Sequence, residues 1–193
     1  MLYVLVAGGP GTGKTTLVGK LFRALSFRGF KVYVVRDWAR EIIREELSRG
    51  GKLLPWIDRV GFEVEVVRRH LAEELAALKG NYDVVLEDSG PYAPIAYCRA
   101  DGLSLPKHLV KDLVKLSRRV DLVLITEPPE EYMKDCERWE DAEYARRIHR
   151  EVVRVHEELF SGRVVKVPPY SNPSLRVSAV LKVLTQAKRR VTT

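Results

Sequence analysis

One short stretch near the start of the chain limits its possible folds more than any other. Residues 8–15 read GGPGTGKT and match GxxxxGK[ST], the pattern of a phosphate-binding P-loop. They follow the aliphatic run Leu2–Ala7, which predicts a central parallel strand buried on both faces. After them, Leu17, Leu21 and Leu25 recur at helical spacing. A strand, a glycine-rich loop and a helix in this order predict a nucleotide phosphate site.

The chemistry of such a loop assigns roles to its residues. Glycines let the backbone turn tightly and aim N–H groups at phosphates that a side chain would block, and the following helix adds its N-terminal dipole. We expect Lys14 to reach the β- and γ-phosphates, Thr15 to bind Mg²⁺ and Thr16 to lie near the α-phosphate. The predicted nucleotide-binding residues are Gly8, Gly9, Pro10, Gly11, Thr12, Gly13, Lys14, Thr15 and Thr16.

The rest of the chain alternates predicted strands and helices. Four further apolar runs predict strands, at 31–36, 84–86, 121–126 and 164–167. Helical patterns lie between them, and the last runs over 173–188. This alternation predicts one three-layer α/β domain of 193 residues with a five-stranded parallel sheet.

Three details of the helical regions are specific enough to be compared with a structure. Leu47 is expected on the apolar face of a helix that begins at Asp37. A stripe from Trp56 through Leu78 predicts a long amphipathic helix that ends near Gly80, with Pro55 in its first turn. The segment 91–105, which contains prolines and glycines, is expected to cover the site.

An acidic pair ends the predicted third strand. Ligands of open α/β sheets collect at the carboxyl ends of the strands, so Glu87 and Asp88 should face the phosphates. We expect Asp88 to hold the metal ion together with Thr15, and Glu87 or Asp37 to accept the proton of an acceptor hydroxyl. An N-cap role for Asp88 is the alternative.

Two further groups of residues could complete a phosphotransferase site. Asp37, Arg40 and Glu41 follow the second strand and either line an acceptor pocket or form only the first turn of a helix. Arg138 lies in a predicted lid around 127–147, where a mobile arginine could neutralise the transferred phosphoryl group. Arginines in the helix that follows, and His149 and His156, are expected to be structural.

Composition limits the partners and the compartment. The formal net charge is +7, and five of these charges lie after residue 175, in a basic C-terminal helix over 173–190. That helix could touch nucleic acid or an acidic surface, although a solvated helix end explains it better. Two distant cysteines indicate neither a zinc site nor a disulfide framework. No run is long enough to span a membrane, and the chain starts with a core strand, so we expect a cytoplasmic protein.

The order of motifs resembles the NadR-like P-loop family of AAA-domain, nucleoside-kinase-like proteins. The resemblance rests on GGPGTGKTT at 8–16, WAREII at 38–43, VVLEDSGP at 84–91 and ERWEDAEYARRIH at 137–149. It implies the kinase-type strand order 2-3-1-4-5, ATP or GTP with Mg²⁺, and Asp88 and Arg138 in the roles given above. Where relatives commonly read Asp-Arg-Gly, this chain has a serine at position 89, so the acceptor stays open.

Two functional classes follow from these observations. The first is a Mg²⁺-dependent kinase that transfers phosphate from ATP or GTP to an unidentified small acceptor, such as a nucleoside or nucleotide. The second is a regulatory NTPase whose nucleotide state controls a protein, lipid or nucleic-acid partner through the basic tail. The sequence lacks the Asn-Lys-x-Asp signature of signalling GTPases, and either a monomer or a homodimer is compatible with it. Its bias toward Glu, Lys and Arg is typical of thermophile proteins.

Overall fold

Strands and helices alternate along the chain in a computed structural model, which describes residues 1–129, 141–169 and 173–191. The strands are β1 (Leu2–Ala7), β2 (Val32–Val35), β3 (Val84–Asp88), β4 (Leu122–Thr126) and β5 (Val164–Val167). The helices are α1 (Lys14–Ser26), α2 (Trp38–Arg49), α3 (Arg59–Lys79), α4 (Ala93–Ala100), α5 (Lys107–Leu116), α6 (Ala142–Leu159) and α7 (Pro173–Val191). A 3₁₀ turn, Ser117–Arg119, follows α5.

All five strands are parallel and lie in the order β2-β3-β1-β4-β5. The predicted fold class and strand order are therefore confirmed. The central strand β1 pairs with β3 on one side and β4 on the other, so the chain leaves β1 at the point where the strand order reverses. Ligands of open α/β sheets bind at such a point, outside the carboxyl ends of the strands. This topology places the P-loop there.

Two hydrophobic layers cover the sheet, and alternate residues of each strand supply them. Tyr3, Leu5 and Ala7 of β1 face a core built with α3, α4, α5 and α6. Leu2, Val4 and Val6 face the second core, built with α1 and α7. A strand covered on both faces needs apolar residues at every position, and all six residues of β1 are buried.

Helix α3 differs from its predicted form at its start and on its buried face. It begins at Arg59, with Asp58 as N-cap, so Pro55 precedes its first turn. Trp56 and Leu75, which were expected in the apolar stripe, are 48% and 50% exposed. Polar residues occupy part of the buried face instead, namely Glu63, His70 and Glu74. Apolar spacing alone could not reveal that this face meets a polar pocket and a polar cluster.

One further local prediction is corrected, and one helix was not predicted. Leu47 is 58% exposed, whereas Glu46 is 3% exposed and accepts the Leu53 N–H at 2.9 Å. The buried side of α2 is therefore turned by one residue from the predicted face. The segment after β3, which was expected to cover the site, contains α4, an eight-residue helix that the sequence patterns did not predict. Its Pro94 lies in the first turn, where a missing N–H breaks no helical hydrogen bond.

Candidate active site

The P-loop connects β1 to α1 in a conformation that depends on its glycines. Gly11 and Gly13 have φ values of 78° and 80°, in the left-handed region where side chains are disfavoured. Inside the loop, the Gly9 carbonyl accepts hydrogen bonds from Lys14 Nζ and Thr12 Oγ1, both at 3.0 Å. Thr126, the last residue of β4, donates its hydroxyl to the Ala7 carbonyl at 3.0 Å, which ties the loop to the neighbouring strand.

Two side chains from later helices hold the loop from outside. The Arg176 guanidinium on α7 donates to the carbonyls of Thr12 at 2.9 Å, Val167 at 3.0 Å and Glu127 at 3.2 Å. The prediction that this arginine belongs to a solvated basic tail is therefore corrected, because it clamps the loop to the ends of β4 and β5. On the other side, His149 of α6 accepts the Gly9 N–H at 3.2 Å.

Asp88 lies beside the P-loop, as the strand order predicts. It is 3% exposed and hydrogen-bonds Thr15. Burial and the nearby charge of Asp37 raise the pKa of Asp88 to about 6, while Lys14 opposes this shift. Its Oδ1 is buried and makes no hydrogen bond within the described ranges. A buried carboxylate oxygen of this kind, next to a threonine hydroxyl, fits the oxygen ligands that Mg²⁺ prefers. The N-cap alternative is excluded, because α4 begins five residues later.

A pocket adjoins the P-loop and is shared by four structural elements. The P-loop contributes Pro10, Gly11 and Lys14, and the start of α2 contributes Asp37, Ala39, Arg40 and Ile43. Helix α3 contributes Arg59, Phe62, Glu63, Val66 and His70, and the segment from the end of β3 into α4 contributes Ser89, Gly90, Ala93, Pro94 and Tyr97. Lys14 of the P-loop therefore shares one cavity with an aromatic compartment formed by Phe62 and Tyr97.

Asp37 combines the two roles that the sequence left open. Its Oδ1 accepts the Ala39 N–H at 3.2 Å, which caps α2, and its Oδ2 lies 3.6 Å from Arg40 Nε. Both side chains also line the pocket. Glu41 does not line it; it lies in a separate groove against α1, where it pairs with Arg44 at 3.1 Å. Asp37 and Arg40 also line that groove, so the structure brings all three predicted acceptor residues together, but only Asp37 and Arg40 reach the pocket.

Arg59 joins the pocket to two other helices. Its guanidinium donates to Asp101 Oδ2 at 2.9 Å, Glu63 Oε1 at 3.1 Å and the Tyr144 hydroxyl at 3.1 Å. It also lies 5.6 Å from the ring centre of Tyr97, within the range of a cation–π contact. Burial raises the pKa of Glu63, which the positive charge of Arg59 opposes. On this wall of the pocket, the positive charge of Arg59 is therefore paired with acidic side chains, and the wall does not carry a large net charge of either sign.

Glu87 points away from the phosphate site, which corrects its prediction as a catalytic base. Adjacent residues of a strand face opposite sides of the sheet, and Glu87 faces the core that contains α3. It is fully buried, accepts the Tyr3 hydroxyl at 3.1 Å and lies 3.3 Å from His70 Nδ1. Burial and the charge of Glu87 raise the pKa of Glu74 to about 8. These side chains form a polar cluster behind the pocket.

The remaining predictions for the site depend on other parts of the chain. Arg138 and the middle of the predicted lid lie outside the described residues. Ser89, at the position where an arginine was expected, lines the pocket with φ of 74°, a left-handed conformation that costs energy for a side-chain-bearing residue. Such strain clusters at functional sites.

Sequence reasoning missed the contribution of helix α3 to the pocket. Glu63, Val67, His70, Glu74 and Ala77 recur every three or four residues, so polar side chains on the buried face of α3 were a detectable signal. The contacts of Arg176 and His149 with the P-loop had no comparable signal, because they join residues more than 130 positions apart.

Comparison with known proteins places this geometry in a family. The sequence profile of the AAA domain family matches residues 3–171. The chain belongs to the AAA domain family. The predicted resemblance to AAA-domain P-loop proteins is confirmed, and the match covers the P-loop, the Asp88 position and all of α6.

Individual relatives are more distant. A protein of Pyrobaculum calidifontis described as a probable thymidylate kinase is 27% identical over 156 residues, which cover 76% of this chain and 78% of the relative. The crystal structure of NadR protein in complex with NR superposes with a TM-score of 0.68 at 23% identity, covering 96% of this chain but 51% of that one. Thymidylate kinase from Ehrlichia chaffeensis superposes with a TM-score of 0.69 at 17% identity over 95% of this chain and 98% of its own. Both structures share the fold.

The fold contains no candidate for a membrane span among its described helices. None combines the length with the apolar character that a bilayer requires.

Proposed function

We propose that this protein is a kinase that transfers the terminal phosphate of ATP or GTP to a small acceptor of the nucleoside or nucleotide class. The observation that carries the proposal is the single pocket that Lys14 and Asp37 share with Arg59, Phe62 and Tyr97. A phosphate donor bound at the P-loop and an acceptor bound beside Phe62 and Tyr97 would therefore lie next to each other in one continuous cavity. The similarity to a probable thymidylate kinase supports the same class of reaction.

The donor side would use the P-loop and Asp88. Lys14 and the N-terminus of α1 supply positive charge where the transferred phosphoryl group becomes more negative. Mg²⁺ would be held by Thr15 and Asp88, and when bound it would neutralise phosphate charge. Asp88 fits this role because its buried Oδ1 makes no hydrogen bond within the described ranges.

The acceptor side would use Asp37 and the walls of the pocket. Two carboxylates line the pocket, Asp37 and Glu63, and Glu63 is paired with Arg59. Asp37 lies near enough to Asp88 to raise its pKa, so we assign Asp37 the role of accepting the proton of the attacking hydroxyl. Phe62 and Tyr97 offer flat apolar surfaces for a heterocycle. Arg40 and Arg59 offer donors to oxygen atoms of the acceptor.

The test is product formation by the purified full chain. The protein is incubated with Mg²⁺, ATP or GTP, and a panel of nucleosides and nucleoside monophosphates, and products are identified by mass spectrometry. We expect a phosphorylated acceptor, and we expect Asp37→Asn to lower kcat by about a hundredfold or more, the range for removing a general base. Nucleotide hydrolysis without any phosphorylated acceptor would contradict the proposal and favour the regulatory NTPase.

A further inference from the structure

His149 of α6 contacts the P-loop through the backbone of Gly9. The Gly9 N–H donates to Nδ1 at 3.2 Å, and Nε2 lies 3.1 Å from Glu127 Oε2. Because Nδ1 accepts a hydrogen bond, it carries no proton. The proton of the neutral ring is therefore on Nε2, where it donates to Glu127. Both contacts are satisfied only when the imidazole is neutral.

The contact is close as well as directional. His149 is 8% exposed, and a Cβ built on Gly9 would lie 2.6 Å from the His149 Cβ. The same Gly9 residue uses its carbonyl to accept from Lys14 Nζ and Thr12 Oγ1. The backbone of Gly9 therefore lies between the histidine on its outer side and the phosphate-binding lysine on its inner side.

We propose that His149 is a positioning residue of the nucleotide site, whose neutral imidazole holds the P-loop in its binding conformation by accepting the Gly9 N–H. The inference rests on the proposed function, since it concerns the donor half of the same site. Without this acceptor, a buried N–H would lose its partner and the loop would have to be ordered by the nucleotide itself. Nucleotide affinity would fall even though His149 touches no phosphate.

Protonation of His149 should have the same effect. A proton on Nδ1 would face the Gly9 N–H and replace a hydrogen bond by repulsion between two donors. The charged groups around the ring are Glu127 at the end of β4, Lys14 of α1 and Lys166 of β5. Burial lowers the pKa of His149 and so do the two lysines, whereas Glu127 raises it. The ring is therefore neutral at pH 7.5. Because its pKa lies below the ordinary histidine value of 6.5, it becomes protonated only in more acidic solution.

Two substitutions separate the acceptor from the rest of the side chain. Asparagine carries an oxygen on Cγ, where histidine carries Nδ1, and it does not titrate. Leucine fills similar space without an acceptor. Binding of ADP with Mg²⁺ is measured by calorimetry at pH 7.5 and pH 5.5. At pH 7.5 we expect His149→Leu to weaken binding about tenfold and His149→Asn to weaken it about twofold at most.

The pH dependence supplies a readout that a purely structural role would not change. Between pH 7.5 and 5.5 the wild type should lose a larger share of its affinity than His149→Asn, and the titration of ADP cancels because both proteins meet the same ligand. Glu127→Gln removes the charge that favours protonation, so its acid loss should begin at a lower pH. His108→Leu and His108→Asn on α5 are the controls, because His108 is exposed and lines neither the pocket nor the neighbouring groove.

The outcomes separate this inference from the proposed function. Equal affinity of wild type and His149→Leu at pH 7.5, or equal acid losses in wild type and His149→Asn, would overturn it. Unfolding of His149→Leu leaves His149→Asn and Glu127→Gln as the deciding variants. A wild type that binds no ADP would overturn the proposed function, and this inference with it.

Discussion

At the residue scale, two glycines of the P-loop are needed for different reasons. Gly13 has a φ of 80°, so it is glycine because of its own backbone. Gly9 has no left-handed φ, yet a side chain there would meet the Cβ and Cα of His149 at 2.6 Å and 2.9 Å. The sequence motif predicts that glycine leaves room for phosphate. At Gly9 the structure shows that it leaves room for helix α6.

Gly9→Ala should therefore destabilise the protein and weaken nucleotide binding together. A methyl group against the backbone of α6 forces the loop and the helix apart, and overpacking of this kind costs about 1–3 kcal/mol. Gly19→Ala is the matched control. Gly19 lies in the middle of α1 with open space around it, so alanine should stabilise by about 0.5–1 kcal/mol. Urea unfolding measures both changes, and equal stability of Gly9→Ala and wild type would contradict the close contact.

His156 should make the stability of the protein fall in acid. It is fully buried, its Nδ1 lies 2.7 Å from the Val152 carbonyl, and burial lowers its pKa to about 4. Between pH 6.5 and 4, His156 is therefore protonated in the unfolded chain but neutral in the folded protein. The free energy of unfolding consequently rises with pH over this range. From pH 7 to pH 5 this residue should remove about 2 kcal/mol from the free energy of unfolding.

The measurement compares urea unfolding of wild type and His156→Leu at pH 7 and pH 5. The leucine variant should lose about 2 kcal/mol less than the wild type over this interval. His108→Leu, which replaces an exposed histidine, should lose as much free energy of unfolding between pH 7 and pH 5 as the wild type does. Parallel losses in wild type and His156→Leu would show that the folded histidine accepts a proton at an ordinary pH.

At the element scale, α6 joins the two halves of the candidate site. Its His149 contacts the P-loop, and one and a half turns earlier its Tyr144 contacts Arg59 and Asp101 beside the acceptor pocket. The helix begins at Ala142, and the side chain of Asp141 before it accepts the Tyr144 N–H at 2.8 Å as an N-cap. A change in the position of α6 would therefore alter both its contact with the P-loop and its contacts beside the acceptor pocket.

Tyr144→Phe should weaken this junction. The Tyr144 hydroxyl donates to Asp101 at 2.9 Å and accepts from Arg59 at 3.1 Å in a half-buried location, so its loss should cost about 1–3 kcal/mol. Tyr82→Phe is the control, because the Tyr82 hydroxyl makes no hydrogen bond within the described ranges, and we expect a change within about 0.5 kcal/mol. Thermal unfolding of the two variants measures the difference. Equal effects would mean that the Tyr144 hydroxyl contributes nothing beyond its ring.

At the scale of the whole molecule, stability and ligand binding should be linked. A ligand that binds only the folded protein stabilises it, by about 2.7 kcal/mol at a hundred times its dissociation constant. Mg²⁺ with ATP should therefore raise the melting temperature, and chelating the metal should remove a large part of the rise. Lys14→Ala should abolish most of it, because the P-loop lysine supplies the charge that meets the phosphates. An equal rise in wild type and Lys14→Ala would contradict nucleotide binding at the P-loop.

Much of the fold could be read from residue patterns, because the signals involved are local. The strand at Leu2–Ala7 is aliphatic at every position except Tyr3, and the P-loop and helix that follow it repeat a pattern with few structural solutions. The final strand, Val164–Val167, was predicted with its observed bounds. The short helix α4 was missed, because prolines and glycines surround it and its eight residues show little periodicity.

The sequence by itself determined the phosphate loop, the parallel sheet and the position of Asp88, since each depends on residues close together in the chain or on a strand's carboxyl end. Only the tertiary structure decided that Glu87 faces away from the phosphates, that Glu63 and His70 reach the pocket, and that His149 and Arg176 hold the loop. The physical reason is that these contacts depend on which face of a strand or helix is turned inward and on packing between distant segments. The spacing of neighbouring residues in the sequence predicts neither.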